Sequence, residues 1–196
     1  MLEILILAAA VFILHRQLVA MALGSSTATG LVPAQVSPQL SRLVEYANRL
    51  YAERKWLAAE KAYLNVLKQD HNNLTAYSHL GIIYSTQKNL PDAIECFEIA
   101  ARLKPGAGSY QNLGLAYYEN HNYMKAVAAL EKANMFEPSA SRYVGLAKAY
   151  SRLKDHDRMI ASYERATQLD PSERFQKLLR EAYREAGRTA PVAAAE

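Results

Sequence analysis

The sequence predicts an all-α protein, a solenoid of stacked helix-turn-helix hairpins. Three observations predict it. Tyr77, Leu80, Gly81 and Tyr84 fall at i, i+3, i+4 and i+7, one face of a helix, and Ala93, Phe97, Ala100 and Ala101 keep helical spacing on a second. The set returns at Tyr110, Leu113, Gly114, Tyr117, Ala126, Leu130 and Ala133, and again at Tyr143, Leu146, Ala147, Tyr150, Met159, Tyr163 and Ala166, each copy 33 residues after the last. Pro105, Pro138 and Pro171 close the three copies, each biasing the residue before it away from helical geometry.

Each copy is a helical hairpin with two apolar faces. Gly81 and Ala93 are small, so two helices can approach closely there, and Tyr77, Tyr84 and Phe97 fill the space around the contact. Lys88-Asn89 lies between the helices. Pro91 follows at the start of the second helix, where its missing N–H costs nothing. One hairpin cannot bury both faces, so it needs neighbours. Tyr77, Leu80, Gly81, Tyr84, Ala93, Phe97, Ala100 and Pro105 fill every slot of a known repeat pattern. On those residues, Leu74 to Pro105 resembles one complete tetratricopeptide repeat.

Taken in order, the chain begins with residues 1–23, which are different in kind. Leu2 to Leu14 is apolar apart from Glu3, His15-Arg16-Gln17 breaks the run, and Leu18 to Leu23 resumes it. A spanning helix needs about 20 apolar residues. The segment reaches that length only with Arg16 inside it, and that side chain can stretch toward the headgroups. The expectation is an N-terminal apolar helix that anchors the chain in a membrane. A cleaved signal peptide is the alternative, since Ala20-Met21-Ala22 resembles a small-residue cleavage site. A helix packed on the repeats is a third reading. Arg16, Arg42 and Arg49 all lie C-terminal to the first apolar run, which predicts an anchored chain with its repeats in the cytoplasm. A cleaved segment would instead make the repeats periplasmic or secreted.

Residues 24–39 hold Gly24, Gly30, Pro33 and Pro38 without periodicity and read as a flexible linker. Ser37 and Ser41 are candidate caps for the first repeat helix. The repeat domain covers residues 40–187. Its first copy, about 40–73, is degenerate: Leu43, Tyr46, Ala47, Leu50, Ala59, Tyr63 and Val66 keep the spacing, but His71 replaces the closing proline. Copies at 74–106, 107–139 and 140–172 follow. Residues 173–187 carry Leu179, Tyr183 and Gly187 with no second helix after them, and read as a solvating capping helix. Residues 188–196, with Pro191 and a short alanine run, read as a disordered tail.

Composition limits function. Charged residues make up 21% and hydrophobic ones 51%, too apolar for a chain disordered throughout. The net charge is a modest +4, and lysine and arginine alternate with acids without forming a basic stripe, which argues against nucleic acid as the partner. Cys96 is the single cysteine and excludes an intramolecular disulfide. There is no Gly-rich phosphate loop, HExxH or paired-cysteine motif, so no catalytic, metal or cofactor site is expected. His71, His121 and His156 fall in predicted turns, and Cys96 has no adjacent base. Most tyrosines hold packing slots, with Tyr51 and Tyr118 outside them.

The resemblance implies more. Similar proteins stack their first helices along the inside of a right-handed superhelix and bind peptides there. Carried over by position, that groove is lined by Asn48, Ser78, His79, Ser85, Gln111, Asn112, Tyr118, Lys148 and Arg152. Asn and Gln side chains match the donors and acceptors of an extended peptide, and Lys148 and Arg152 suit an acidic group. The two-carboxylate clamp of chaperone-binding members is mostly missing. Only Asn48 matches it, while Val44, His79, Gly108 and Asn112 stand where Lys, Asn, Lys and Arg belong. The expected function is a non-catalytic scaffold, without cofactor, that gathers a protein or peptide partner at a membrane. The alternative is a secreted or periplasmic repeat protein acting in envelope assembly.

Overall fold

The computed structural model describes residues 37–190. The membrane segment expected at 1–23, most of the expected linker, and residues 191–196 lie outside the described residues. Among the described residues there are nine helices and no strand. They come in pairs: α1 (Pro38–Ala52) with α2 (Trp56–Gln69), α3 (Leu74–Thr86) with α4 (Leu90–Leu103), α5 (Ala107–Glu119) with α6 (Tyr123–Phe136), and α7 (Ala140–Arg152) with α8 (His156–Leu169). A single helix, α9 (Glu173–Glu185), closes the stack. No helix among the described residues is long and apolar enough to cross a membrane.

The turns repeat as faithfully as the helices. Inside each pair one residue enters the left-handed region: Arg54 (φ 56°), Lys88 (φ 63°), His121 (φ 59°) and Lys154 (φ 61°). The next residue then donates its N–H back into the helix, Asn89 to the Tyr84 carbonyl at 2.9 Å and Asp155 to the Tyr150 carbonyl at 3.0 Å. This is how a left-handed residue closes a helix C-terminus. Gly187 (φ 68°) holds the same place after α9, and Arg188 donates to the Tyr183 carbonyl at 2.8 Å. Arg188, expected in the tail, also pairs with Asp157 at 2.6 Å.

Between pairs the chain passes through one extended residue. Lys104, Glu137 and Asp170 hold it before Pro105, Pro138 and Pro171, as the proline ring requires. Asp70 adopts the same geometry (φ −136°, ψ 94°) with no proline behind it. Its two carboxylate oxygens accept from the Asn72 N–H at 3.1 Å and the Asn73 side-chain amide at 2.9 Å, so an Asx turn replaces the ring. Helix starts are capped in the usual chemistry: Ser37, not Ser41, accepts from Leu40 N–H at 3.1 Å, and Asn73, Asn122, Ser139 and Asp155 cap α3, α6, α7 and α8. His156, expected in a turn, opens α8 because Asp155 takes the cap.

Small residues set the distance between paired helices. A β-carbon on Gly81 would stand 2.6 Å from the Phe97 ring, and one on Gly114 would stand 2.7 Å from the Leu130 side chain. Along the stack Tyr63, Leu80, Ile83, Leu130 and Met159 are fully buried. Each such side chain contributes about 1.5–3 kcal/mol by leaving water. Successive helices pack on one another, and α1 also touches α3 as α5 touches α7, so first helices share one side of the stack. Helix α9 buries Phe175 and Ala182 and leaves Arg174, Lys177, Arg180 and Glu181 exposed.

Candidate functional site

The same periodicity that builds the core leaves a second face free. On α5, Leu113, Gly114 and Tyr117 turn inward, while Leu115 stays exposed and Asn112 and Tyr118 are half-buried. On this side two adjoining depressions open, each of about 400 Å³. Ile82, Ser85 and Thr86 of α3 face Asn112 and Leu115 of α5 across the first, with Phe97 in its lining. Leu115 and Tyr118 face Val144, Gly145 and Lys148 of α7 across the second, where α9 adds Arg174 and Phe175. Leu115 and Glu119 belong to both.

Of the expected groove residues, the structure brings Ser85 and Asn112 into the first depression and Tyr118 and Lys148 into the second. Arg152 is exposed one turn beyond Lys148. Its Nε donates to the Tyr123 hydroxyl at 3.2 Å, and its guanidinium stands 5.5 Å from the centre of that ring. Tyr123 meets Tyr118 edge-on at 5.5 Å, which ties Arg152 to the groove wall.

The remaining four are placed otherwise. The Asn48 carboxamide oxygen accepts from the Tyr63 hydroxyl at 2.8 Å. Burial raises the pKa of that hydroxyl far above the ordinary range, so it stays a donor. The Gln111 oxygen accepts from Arg142 Nε at 2.8 Å, and Arg142, only 12% exposed, pairs with Glu137 at 3.0 Å. The His79 ring is stacked at 5.2 Å on Tyr63 and tilted at 4.3 Å against Tyr51. Its Nδ1 is buried with no well-formed hydrogen bond among the described residues, and burial lowers its pKa while the nearby Thr75 backbone acts weakly the other way. His79 is therefore a neutral packing ring. Ser78 lines neither depression.

Sequence reasoning missed Leu115, Glu119, Arg174 and Tyr123. Leu115 had a signal: it is apolar but lies off the core stripe of Leu113, Gly114 and Tyr117. Tyr123 and Arg174 had none, because their places depend on the approach of other repeats. Elsewhere, no group of His, Cys, Asp and Glu among the described residues is arranged to hold a metal. Burial first, then the nearby Glu95 and Asp92 charges, push the Cys96 thiol up to about 12, so thiolate is scarce at neutral pH.

Stacked helical hairpins with an open groove along their first helices define a helical-repeat protein. Models described as tetratricopeptide repeat match residues 46–108, 107–139 and 140–173, and the chain belongs to the tetratricopeptide-repeat family. Among solved structures it resembles the MamA protein, with a TM-score of 0.71 and 26% identity over 76% of this chain and 82% of that one. It also resembles YrrB, described as a TPR protein with an unusual peptide-binding site, with a TM-score of 0.66 over 74% of this chain and 76% of that one. At 18% identity the second likeness shows the fold alone. Among curated proteins, the transcription factor tau 131 kDa subunit of Saccharomyces cerevisiae is 32% identical over 68 residues, 35% of this chain and 7% of that protein. A probable UDP-N-acetylglucosamine–peptide N-acetylglucosaminyltransferase, SPINDLY of Arabidopsis thaliana, is 36% identical over 81 residues, 41% of this chain and 9% of that protein. The chain spans less than a tenth of the length of either relative.

Proposed function

We infer that this protein is a non-catalytic scaffold that holds a protein or peptide partner in the groove along its first helices. One observation carries the reading: Leu115, 43% exposed, stands between two adjoining depressions and joins them into one apolar-centred track. Such a side chain costs solubility when bare and contributes binding when covered. Fixed hairpins hold the track open, so little conformational entropy is lost on binding. The peptide-binding site in YrrB's description supports the same use of the fold. The apolar run at residues 1–23 favours attachment to a membrane with the repeats in the cytoplasm, where the scaffold gathers its partner for assembly of a membrane complex.

Two experiments test this. A photo-crosslinking amino acid at position 115 should capture a discrete partner, and the same group at Met124, more accessible but outside the groove, should not. Equal capture at both positions would sink the reading. Membrane fractionation, with the mass of the amino terminus, tests the anchor. A carbonate-soluble chain that starts near Leu23 would replace it with a secreted or periplasmic protein.

A further inference from the structure

We propose that the groove selects an extended acidic peptide, with an apolar side chain against Leu115 and carboxylates facing Lys148 and Arg174. The inference rests on the groove being the partner site and adds the chemistry of what fills it. The second depression has an apolar lining and a cationic rim. Val144 is 8% exposed and Phe175 5%, and the exposed Leu115 walls one side. Lys148 comes from α7 and Arg174 from α9, so two elements deliver positive charge to one place. Neither cation has an ion pair among the described residues; Arg174 lies 5.4 Å from the centre of the Phe175 ring. Arg152 extends the cationic side one turn beyond Lys148.

The acidic side of the balance is already engaged. Among the described residues, Glu119 is the one carboxylate lining either depression, and Lys88 pairs with it at 3.1 Å. A bound carboxylate at the Lys148 end thus meets uncompensated positive charge. The neighbouring depression offers Ser85 and Asn112, whose hydroxyl and carboxamide can bond to peptide backbone. Apolar contact at Leu115 supplies affinity, and the cations supply selectivity and a faster encounter. The cations do not occupy the two-carboxylate clamp slots, Val44, Asn48, His79, Gly108 and Asn112. They lie in the fourth repeat and the closing helix, so the ligand sits further toward the C-terminal end of the stack.

The test measures fluorescence anisotropy of labelled dodecapeptides on the full chain. Leucines are kept fixed, and the intervening positions are all Asp, all Asn or all Lys. The Asp peptide should bind about tenfold or more tighter than the Asn peptide, with the difference shrinking as salt rises. Lys148→Glu with Arg174→Glu should move the preference to the Lys peptide while leaving the helical signal and melting curve intact. Equal binding of all three peptides that Leu115→Asp abolishes keeps the groove and overturns the acidic selection. Acid-selective binding that survives both variants places the site elsewhere and overturns the groove reading as well. No binding by any of the peptides overturns the proposal. So does equally tight binding of a single-stranded oligonucleotide of the same charge, which would make the groove a phosphate site.

Discussion

The Tyr183 hydroxyl donates to the Glu164 carboxylate at 2.7 Å, from the closing helix to the second helix of the last pair. The same bond joins Tyr150 to Glu131 and Tyr117 to Glu98, each 19 residues apart. The ladder therefore runs along the stack at every junction from α4 onward. At the α2–α3 junction Leu64 stands in the Glu slot, 40% exposed. Helical packing leaves some freedom to slide, and a directional bond at each junction removes it.

The ladder predicts a measurable coupling. Tyr150→Phe deletes only the hydroxyl and should cost about 1 kcal/mol, since a bond to a charged but solvent-facing carboxylate is worth less than a buried one. In a domain of this size that lowers the melting temperature by about 2–4 °C. A double-mutant cycle with Glu131→Ala, which removes the acceptor, isolates the pair. Strict additivity of the two changes would mean the bond is idle.

Alkaline pH should loosen the same junctions. Tyr117 and Tyr150 are pushed from an ordinary value near 10 up to about 12, first by burial and then by the bonds to Glu98 and Glu131. Tyr63 is raised further by burial. Below about pH 10 these phenols are neutral in both folded and unfolded chains, so stability is fully present. As pH climbs from about 10 to about 12 the unfolded chain ionises first, and stability is lost through that window. Cys96, raised from 9 to about 12, starts the decline earlier. Urea midpoints measured across this range should fall, and Tyr63→Phe combined with Tyr117→Phe and Tyr150→Phe should flatten that fall. A fall that the three phenylalanines leave unchanged would contradict the burial argument.

The glycines predict an ordered series. Gly81→Ala places a β-carbon 2.6 Å from the rigid Phe97 ring and should cost about 1–3 kcal/mol. Gly114→Ala meets the flexible Leu130 side chain at 2.7 Å, with the Ala126 carbonyl behind at 3.3 Å, and should cost less. Gly114→Leu should cost about 3 kcal/mol or more, because no rotamer fits between the paired helices. Gly145→Ala meets nothing closer than 3.7 Å and should stabilise by about 0.5–1 kcal/mol through helix propensity. Thermal melts rank the four, and a destabilised Gly145→Ala would break the series.

The left-handed turn residues predict a gain. Lys154 holds φ 61° with its side chain exposed. A side chain in this region costs about 1–2 kcal/mol, and glycine removes that cost while adding about 0.5–1 kcal/mol of unfolded-state entropy. Lys154→Gly should therefore raise the melting temperature by about 1–3 °C. An unchanged or lower value would mean the turn is not strained.

Sequence pattern exposed what repeats and hid what crosses between repeats. Leu80, Gly81 and Phe97 were legible because each recurs at a fixed spacing on a predictable face. The turn at Lys88-Asn89 was legible as a turn, but its left-handed residue was not, because lysine carries no conformational signature. Asn48 and Gln111 read as free polar groups on the groove side. Tyr63 and Arg142, which occupy them, come from other helices, and single-helix periodicity says nothing of such partners. Glu98, Glu131 and Glu164 are hidden for the same reason, since their tyrosine partners stand on the following helix. Leu115 has a sequence signal in its place off the core stripe, but a groove assigned from side chains with polar groups leaves it out.

His79 gives the last prediction. The ring is stacked on Tyr63 at 5.2 Å and tilted against Tyr51 at 4.3 Å, and Tyr51 in turn meets Trp56 edge-on at 5.4 Å. Among the described residues no carboxylate acts on it; the groups against it are two phenol rings and the Thr75 backbone. Burial depresses its pKa below the ordinary 6.5, so the folded state prefers the neutral ring. Stability from this group is complete above about pH 6.5 and is lost as pH falls through the lower folded value, where a proton must enter the stack. Melting temperature should fall between about pH 7 and pH 5, and His79→Phe should flatten that fall while keeping the stack. His79→Asn, smaller and polar, should lower stability at both pH values. A fall with acid that His79→Phe leaves unchanged would assign it to another group and leave His79 a bystander.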